Sequence, residues 1–271
     1  MSNLTGWHPG ERIVRHKLGF DEIPSLARTF NYISGEMPEQ HSTFYTERIP
    51  FLPVCVLDDE GRPWGSILAG KDGRRGFIHH PRYNTLSIEA KLWEGEPFLN
   101  NVKTFDREKY STLIAGIGVE VSTRRRNKFA GSITKLEKNE DIMNFELVVN
   151  EAIGYALRKF PIFVKPDTSH SECPKYITLR QLTPHPTTSP VVVESKPHLG
   201  VGERLSSNAI AFILESDTVW LGTTYASEDA QLYPSHLGMN HRGGRPGFIR
   251  VKPSDGRTVV LPDFSGSSPQ L

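Results

Sequence analysis

Two short apolar runs held apart by an acidic turn constrain this chain more than any other feature. Phe51-Leu-Pro-Val-Cys-Val-Leu57 reads as a strand, and Trp64-Gly-Ser-Ile-Leu-Ala69 reads as its return. Asp58-Asp-Glu-Gly61 lies between them and ends in the residue that tolerates positive φ, so residues 51–69 are expected to form a hairpin. Further strands follow at Gly76-Phe-Ile78, Thr85–Glu89, Gly118–Ser122, Lys128–Glu137 and Phe145–Ala152, with a polar turn at Lys138–Asp141. Helical spacing is sparse. It occurs over residues 22–32, where Asp21 can cap and Pro24 fits the first turn, over 106–114, and over 207–214 behind Ser206. Residues 1–20 read as an irregular arm. Many short strands with few helices predict a mainly β chain, an antiparallel barrel or sandwich.

The order of elements then begins again. Thr183-Pro-His-Pro-Thr-Thr-Ser-Pro190 has the composition of a linker. After it come the helix 207–214, a strand at Thr218–Thr224, the triplet Gly244-Arg-Pro246, a strand at 247–251, an Asp255-Gly256 turn and a strand at Thr258–Leu261. The first half carries its own Gly61-Arg-Pro63 and Asp72-Gly73 in a similar order. The expected organisation is an arm and helix over residues 1–44, a barrel over 45–182, a linker over 183–205 and a partial second copy over 206–271. The second copy is about half as long as the first. Its apolar residues, among them Val219, Leu221, Phe248, Ile249, Val251, Val260 and Leu261, need cover from the first barrel or from a second chain. A homodimer is therefore expected.

A formal net charge of +1 over 271 residues provides no global field for nucleic acid or an anionic membrane surface, so any anion site must be local. No apolar run reaches membrane-spanning length, and the polar N-terminus has no signal-peptide character. Two cysteines, Cys55 and Cys173, are too few for a disulfide framework. A cytoplasmic setting is the expectation.

The strongest local charge feature is Thr123-Arg-Arg-Arg-Asn-Lys-Phe-Ala-Gly131. On a strand Arg124 and Arg126 share one face and Arg125 takes the other. Paired guanidiniums suit a phosphate, and a solvated strand edge would carry the same charges. Lys175 and Tyr176 follow Pro174 at a helix start, which is either an anion site or a capped surface helix. His241-Arg-Gly-Gly-Arg-Pro-Gly247 is basic and glycine-rich, either a close approach to a ligand or a tight connection. His79 and His80 flank a turn at Pro81, with no ligand spacing for a metal. No catalytic acid, base or nucleophile stands out.

Taken in order, several motifs carry a resemblance. They are Trp7-His-Pro-Gly-Glu11, Gly61-Arg-Pro-Trp-Gly-Ser-Ile-Leu-Ala-Gly70, Thr123-Arg-Arg-Arg-Asn-Lys128, Cys173-Pro-Lys-Tyr-Ile177, Ser216-Asp-Thr218 and His241-Arg-Gly-Gly-Arg-Pro-Gly-Phe248. The set resembles the pyridoxamine-5′-phosphate-oxidase-related flavin-nucleotide-binding proteins of bacteria and fungi, some of which continue into a ferredoxin-reductase-like module. The resemblance implies a split β-barrel that dimerises and holds flavin mononucleotide (FMN). Carried over by position, it assigns the flavin to Ser66, Ile67 and Leu68 and its phosphate to Arg125, Arg126 and Lys128. Lys175 and Tyr176 join them as further cofactor-binding candidates. The implied activity is a flavin-dependent oxidoreductase acting on a small molecule, with a separate reductase as a possible electron donor. The alternatives are a non-catalytic binder of flavin or another phosphate ligand, and a barrel that has lost its flavin and uses the cleft otherwise. Two departures stand out: Glu172 before Cys173, and the run of Pro262-Asp-Phe-Ser-Gly266 into Ser267-Ser-Pro-Gln-Leu271.

Overall fold

A computed structural model describes residues 7–24, 33–71, 73–92, 96–104, 112–120, 123, 125–155, 199–231 and 233–262. Its centre is one antiparallel sheet of seven strands: β1 (Phe51–Leu57), β2 (Pro63–Ala69), β3 (Ile78–Arg82), β4 (Thr85–Lys91), β5 (Thr112–Glu120), β6 (Arg125–Asn139) and β7 (Ile142–Tyr155). They are ordered β2-β1-β5-β6-β7-β4-β3. Every pairing is antiparallel, and the long β6–β7 hairpin is broken by register shifts at Ala130/Gly131 and Ile133/Lys135. Such bulges bend a sheet and let it curl into a barrel. The class this defines is the mainly β, antiparallel split barrel.

The first hairpin forms where the acidic turn predicts it. Gly61 adopts φ +76°, and the Asp58 carboxylate accepts from the Glu60 and Arg62 amides at 3.0 and 2.9 Å. The same carboxylate accepts from Arg62 Nε and Trp64 Nε1 at 2.8 and 2.7 Å. Burial opposes ionisation of Asp58, yet these donors outweigh it and hold the pKa at about 2.

The unbroken apolar run of β1 has a physical reason. Leu52, Val54 and Val56 enter the barrel core with Leu68, Ile88, Phe98, Ile114 and Phe145, whereas Cys55 points the other way into a second apolar cluster with Ala115, Ile117, Val119, Leu237 and Met239. A strand buried on both faces cannot alternate polar and apolar residues. The second cover is a hairpin of β8 (Thr218–Tyr225) and β9 (His236–Gly243), laid across the outer face of β1, β5 and β6. Its approach is close: a Cβ on Gly222 would lie 2.6 Å from Cys55 Sγ. Of the strands expected over 218–261 beside the first barrel, β8 and β9 are found there.

Helix α1 (Pro9–Lys17) replaces the expected irregular arm. His8 accepts from Gly10 N at 3.1 Å and Glu11 accepts from His8 N at 3.0 Å, with Pro9 at the first helical position. A 3₁₀ turn at Phe20–Glu22 follows; residues 25–32 of the expected 22–32 helix lie outside the described residues. Helix α2 (Glu39–Glu47) was not expected. Its apolar residues are few, but Phe44 and Tyr45 are fully buried against Phe129 and the Cα of Gly118. Of the helix expected over 106–114, residues 106–111 lie outside the described residues and 112–114 belong to β5, while helix α3 lies at Pro97–Thr104. His79 and His80 sit on β3 rather than in a turn.

In the second unit, helix α4 (Ser207–Glu215) is capped as expected, Ser206 Oγ accepting from Ala209 N at 3.1 Å. The strand expected at 247–251 shrinks to β10 (Arg250–Val251), paired with β11 (Val259–Val260), and β9 was missed. Gly61-Arg-Pro63 therefore lies inside a hairpin turn, whereas Gly244-Arg-Pro246 follows its hairpin, and the two triplets are not equivalent. What recurs is a helix followed by an antiparallel hairpin. The linker at 183–190 lies outside the described residues.

Candidate functional site

Cross-strand pairing fixes which residues of β6 share a face. Ala130 pairs with Ala115, and Ala115 with Cys55, so Ala130 belongs to the outer row; Lys128 and Arg126, opposite Ile117 and Val119, continue it. On the other side of β6, Ala130 pairs with Glu151, which brings that carboxyl onto the same face. The covering hairpin meets this row. Lys128 Nζ donates to Asn240 Oδ1 at 2.8 Å, and Arg242 lies close enough to both Lys128 and Arg126 to disfavour their charges.

Three cations thus converge in a half-buried seam between the barrel and the second unit. Arg126 Nε is buried with no acceptor among the described residues. Burial, then Arg242, lowers the Lys128 pKa to about 8 against the opposing pull of Glu151. Burial likewise raises the Glu151 carboxyl, and Glu11 adds to it, while His236 and Lys128 act in the other direction. His241, whose ring lies 4.8 Å from that of Trp220, falls to about 4 through burial and then Arg126 and Arg242. Clustered cations that are desolvated and short of acceptors are poised for an anion.

The remaining candidates are placed as follows. Arg125 turns to the opposite face, where Nη2 donates to Gln40 O at 2.8 Å and the guanidinium sits 4.9 Å over Phe44. Near it His41 Nδ1 and Asn127 Nδ2 are buried without partners among the described residues, and burial, then Arg125, lowers the His41 pKa. Ser66 donates to Glu96 Oε1 at 2.6 Å and Leu68 enters the barrel core, so both side chains point away from the seam. Ile67 pairs with Pro53 and shares the outer face. Strand β2 is a sheet edge, which leaves backbone groups along one side of it without a strand partner. Lys175, Tyr176, Arg124 and Cys173 lie outside the described residues.

Asn240, Arg242 and Glu151 were not singled out individually from sequence. Arg242 lay within the basic glycine-rich run, the one signal that pointed toward it. The Trp7-His-Pro-Gly-Glu11 motif finds a role in docking: the His8 ring stacks edge-on with Tyr225 and Tyr233 at 4.6 and 4.9 Å, and the Arg15 guanidinium lies 4.2 Å over Trp7.

No protein-family model matches the chain, and no curated protein matches it. Among solved structures it is similar to HutZ, the heme storage protein from Vibrio cholerae, at 12% identity and a TM-score of 0.31, over 44% of this chain and 94% of that one. It is similar to HupZ of group A Streptococcus at 8% identity and a TM-score of 0.31, over 44% and 99%. A Clostridium acetobutylicum protein of the pyridoxinephosphate oxidase family, related to general stress protein 26, matches at 10% identity and a TM-score of 0.27, over 41% and 82%. The fold class rests on the chain's own strand order. Among the described residues no helix is long and apolar enough to cross a membrane, and no group of His, Cys, Asp and Glu side chains is arranged to hold a metal.

Proposed function

We propose that this chain binds FMN in the seam between its two units and acts as a flavin-dependent oxidoreductase on a small molecule. The observation that carries the reading is the convergence of Arg126, Lys128 and Arg242, with a buried Arg126 Nε that lacks an acceptor among the described residues. A phosphate dianion satisfies that donor and neutralises the cluster. The phosphate end therefore fits. Ser66, Ile67 and Leu68 lie on the β2 edge, three strands from this cluster, and are kept as candidates for the flavin ring. Lys175 and Tyr176 remain part of the proposed binding set.

When bound, flavin supplies hydride or electron transfer. The chain's own residues bind and orient. Arg126 and Arg242 clamp the phosphate, Lys128 adds a donor held by Asn240, and the apolar cluster around Cys55 and Met239 keeps water from one wall of the seam.

The test is fluorescence titration of FMN and of riboflavin, which lacks the phosphate. FMN should bind at least about tenfold more tightly, and Arg126→Ala should remove that preference, since a charged hydrogen bond is worth about 1.5–3 kcal/mol. Equal affinity for the two ligands would remove the phosphate site. Bleaching of the bound flavin by a reduced nicotinamide, or by a separate reductase, would distinguish an oxidoreductase from a flavin carrier.

A further inference from the structure

The seam contains a primary amine whose chemistry goes beyond holding a phosphate, and its assignment rests on the phosphate site proposed above. We propose that Lys128 is a carbonyl-reactive amine, forming an imine with an aldehyde whose phosphate is held by Arg126 and Arg242. Lys128 is the primary amine of the outer row of β6 that meets β9, with Arg126 two residues away on the same row and Arg242 facing it from β9. Its nitrogen donates to the neutral Asn240 side chain at 2.8 Å, an acceptor that orients the nitrogen without fixing its charge. The residue is only partly buried.

The charged groups around Lys128 all bear on this chemistry. Arg242 on β9 disfavours the ammonium, Glu151 on β7 favours it, and His241 is held neutral. Desolvation beside other cations is the arrangement that turns a lysine into a nucleophile near neutral pH, and here the amine loses its proton at about 8 rather than 10.5. The guanidiniums of Arg126 and Arg242 attract the phosphate of the incoming aldehyde. Its carbonyl is thereby held beside the nitrogen.

The step balances without an oxidant. The neutral amine attacks the carbonyl carbon, giving a carbinolamine. Glu151, brought onto this face by its pairing with Ala130, relays a proton to the departing hydroxyl. The carbonyl oxygen leaves as water with the two hydrogens of the amine, and C=N replaces C=O. Glu151 recovers its proton from the nitrogen.

The experiment treats the full chain with glyceraldehyde 3-phosphate in the presence of cyanoborohydride, which reduces an imine to a stable secondary amine. Peptide mapping by mass spectrometry then locates the adduct. Lys128 should be labelled first, with a rate that rises through pH 8. Glyceraldehyde without the phosphate should label it at least about tenfold more slowly, as expected if one charged phosphate contact is lost. Lys128→Arg should abolish that adduct while leaving the slow labelling of surface lysines. Inorganic phosphate should protect Lys128 in the unaltered chain, a readout that does not depend on how the variant folds. Labelling spread over surface lysines at the same rate in both proteins, or a Lys128 adduct indifferent to phosphate, overturns the proposal. FMN binding is read separately by fluorescence. An adduct at Lys128 without FMN binding would remove only the flavin reading, and FMN binding without an adduct would remove only this one.

Discussion

Lys128 Nζ donates to Asn240 Oδ1 across 2.8 Å, and this bond joins β6 of the barrel to β9 of the second unit, residues 112 positions apart in the chain. Around it the two units share apolar residues, with Leu237 and Met239 buried against Cys55, Ala115 and Ile117. The bond therefore lies where the hairpin docks. Asn240→Leu keeps the volume and removes the acceptor. It should destabilise the protein by about 1 kcal/mol, the net worth of one hydrogen bond at a partly exposed donor. Urea unfolding monitored by tryptophan emission is the measurement.

The opposite faces of β6 separate two neighbouring arginines. Arg126 opens onto the seam beside Arg242, whereas Arg125 is spent on Gln40 O and the Phe44 ring. Arg126→Ala and Arg242→Ala should each weaken FMN binding about tenfold or more, and Arg125→Ala should leave it nearly unchanged. Arg125→Ala should instead lower stability, through loss of its contacts to α2. Parallel FMN titrations and denaturation curves on the three variants would show the two faces as different classes of effect.

That alternation was legible in the sequence, because a strand period of two separates Arg125 from Arg126 whatever the barrel does. The turn at Asp58–Gly61 and the cap at Ser206 were legible too, since each is a local arrangement of donors and acceptors. The partners of Lys128 were not. Asn240 and Arg242 come from a hairpin whose second strand, His236–Gly243, is polar and glycine-containing and has no β-branched run, so nothing local announced it. Helix α2 was hidden for a related reason. Its sequence Glu39-Gln-His-Ser-Thr-Phe-Tyr-Thr-Glu47 carries no apolar stripe, and two aromatics docking on the barrel hold it in place. Long-range packing set both elements.

Acid should loosen the seam through His241. In the folded state its pKa is depressed to about 4 from an ordinary 6.5, so the neutral ring is the form that fits. Above 6.5 folded and unfolded chains both hold it neutral, and its contribution is complete. As pH falls from 6.5 toward 4 the unfolded chain takes up a proton that the folded chain resists, and stability is lost. The loss attributable to this group is on the order of 3 kcal/mol at pH 4, from the size of the shift. His241→Gln should reduce the fall by most of that amount, which urea midpoints at pH 7, 5.5 and 4 for both proteins would measure.

Assembly follows from what the second unit leaves uncovered. Ile249 and Val251 are buried and the hairpin residues Leu237 and Met239 are covered by the barrel, but Phe212 and Leu214 on α4, Leu221 on β8 and the β11 residues Val259 and Val260 are exposed. Phe212 is 62% exposed, on a helix whose only buried residue is Ala209. An amphipathic helix of this kind is ordinarily stabilised by packing its apolar side, and a short hairpin presents an open edge beside it. The proposed cover is a second copy of the chain, related by a two-fold axis so that the same patch is buried twice. The full chain should then scatter light as a dimer at micromolar concentration. Phe212→Asp should shift it to a monomer without changing the urea midpoint of the barrel, because Phe212 contributes nothing to the core around Leu52 and Phe145. A chain that is monomeric before any substitution would rule out the homodimer and leave the apolar side of α4 as an exposed surface of the second unit.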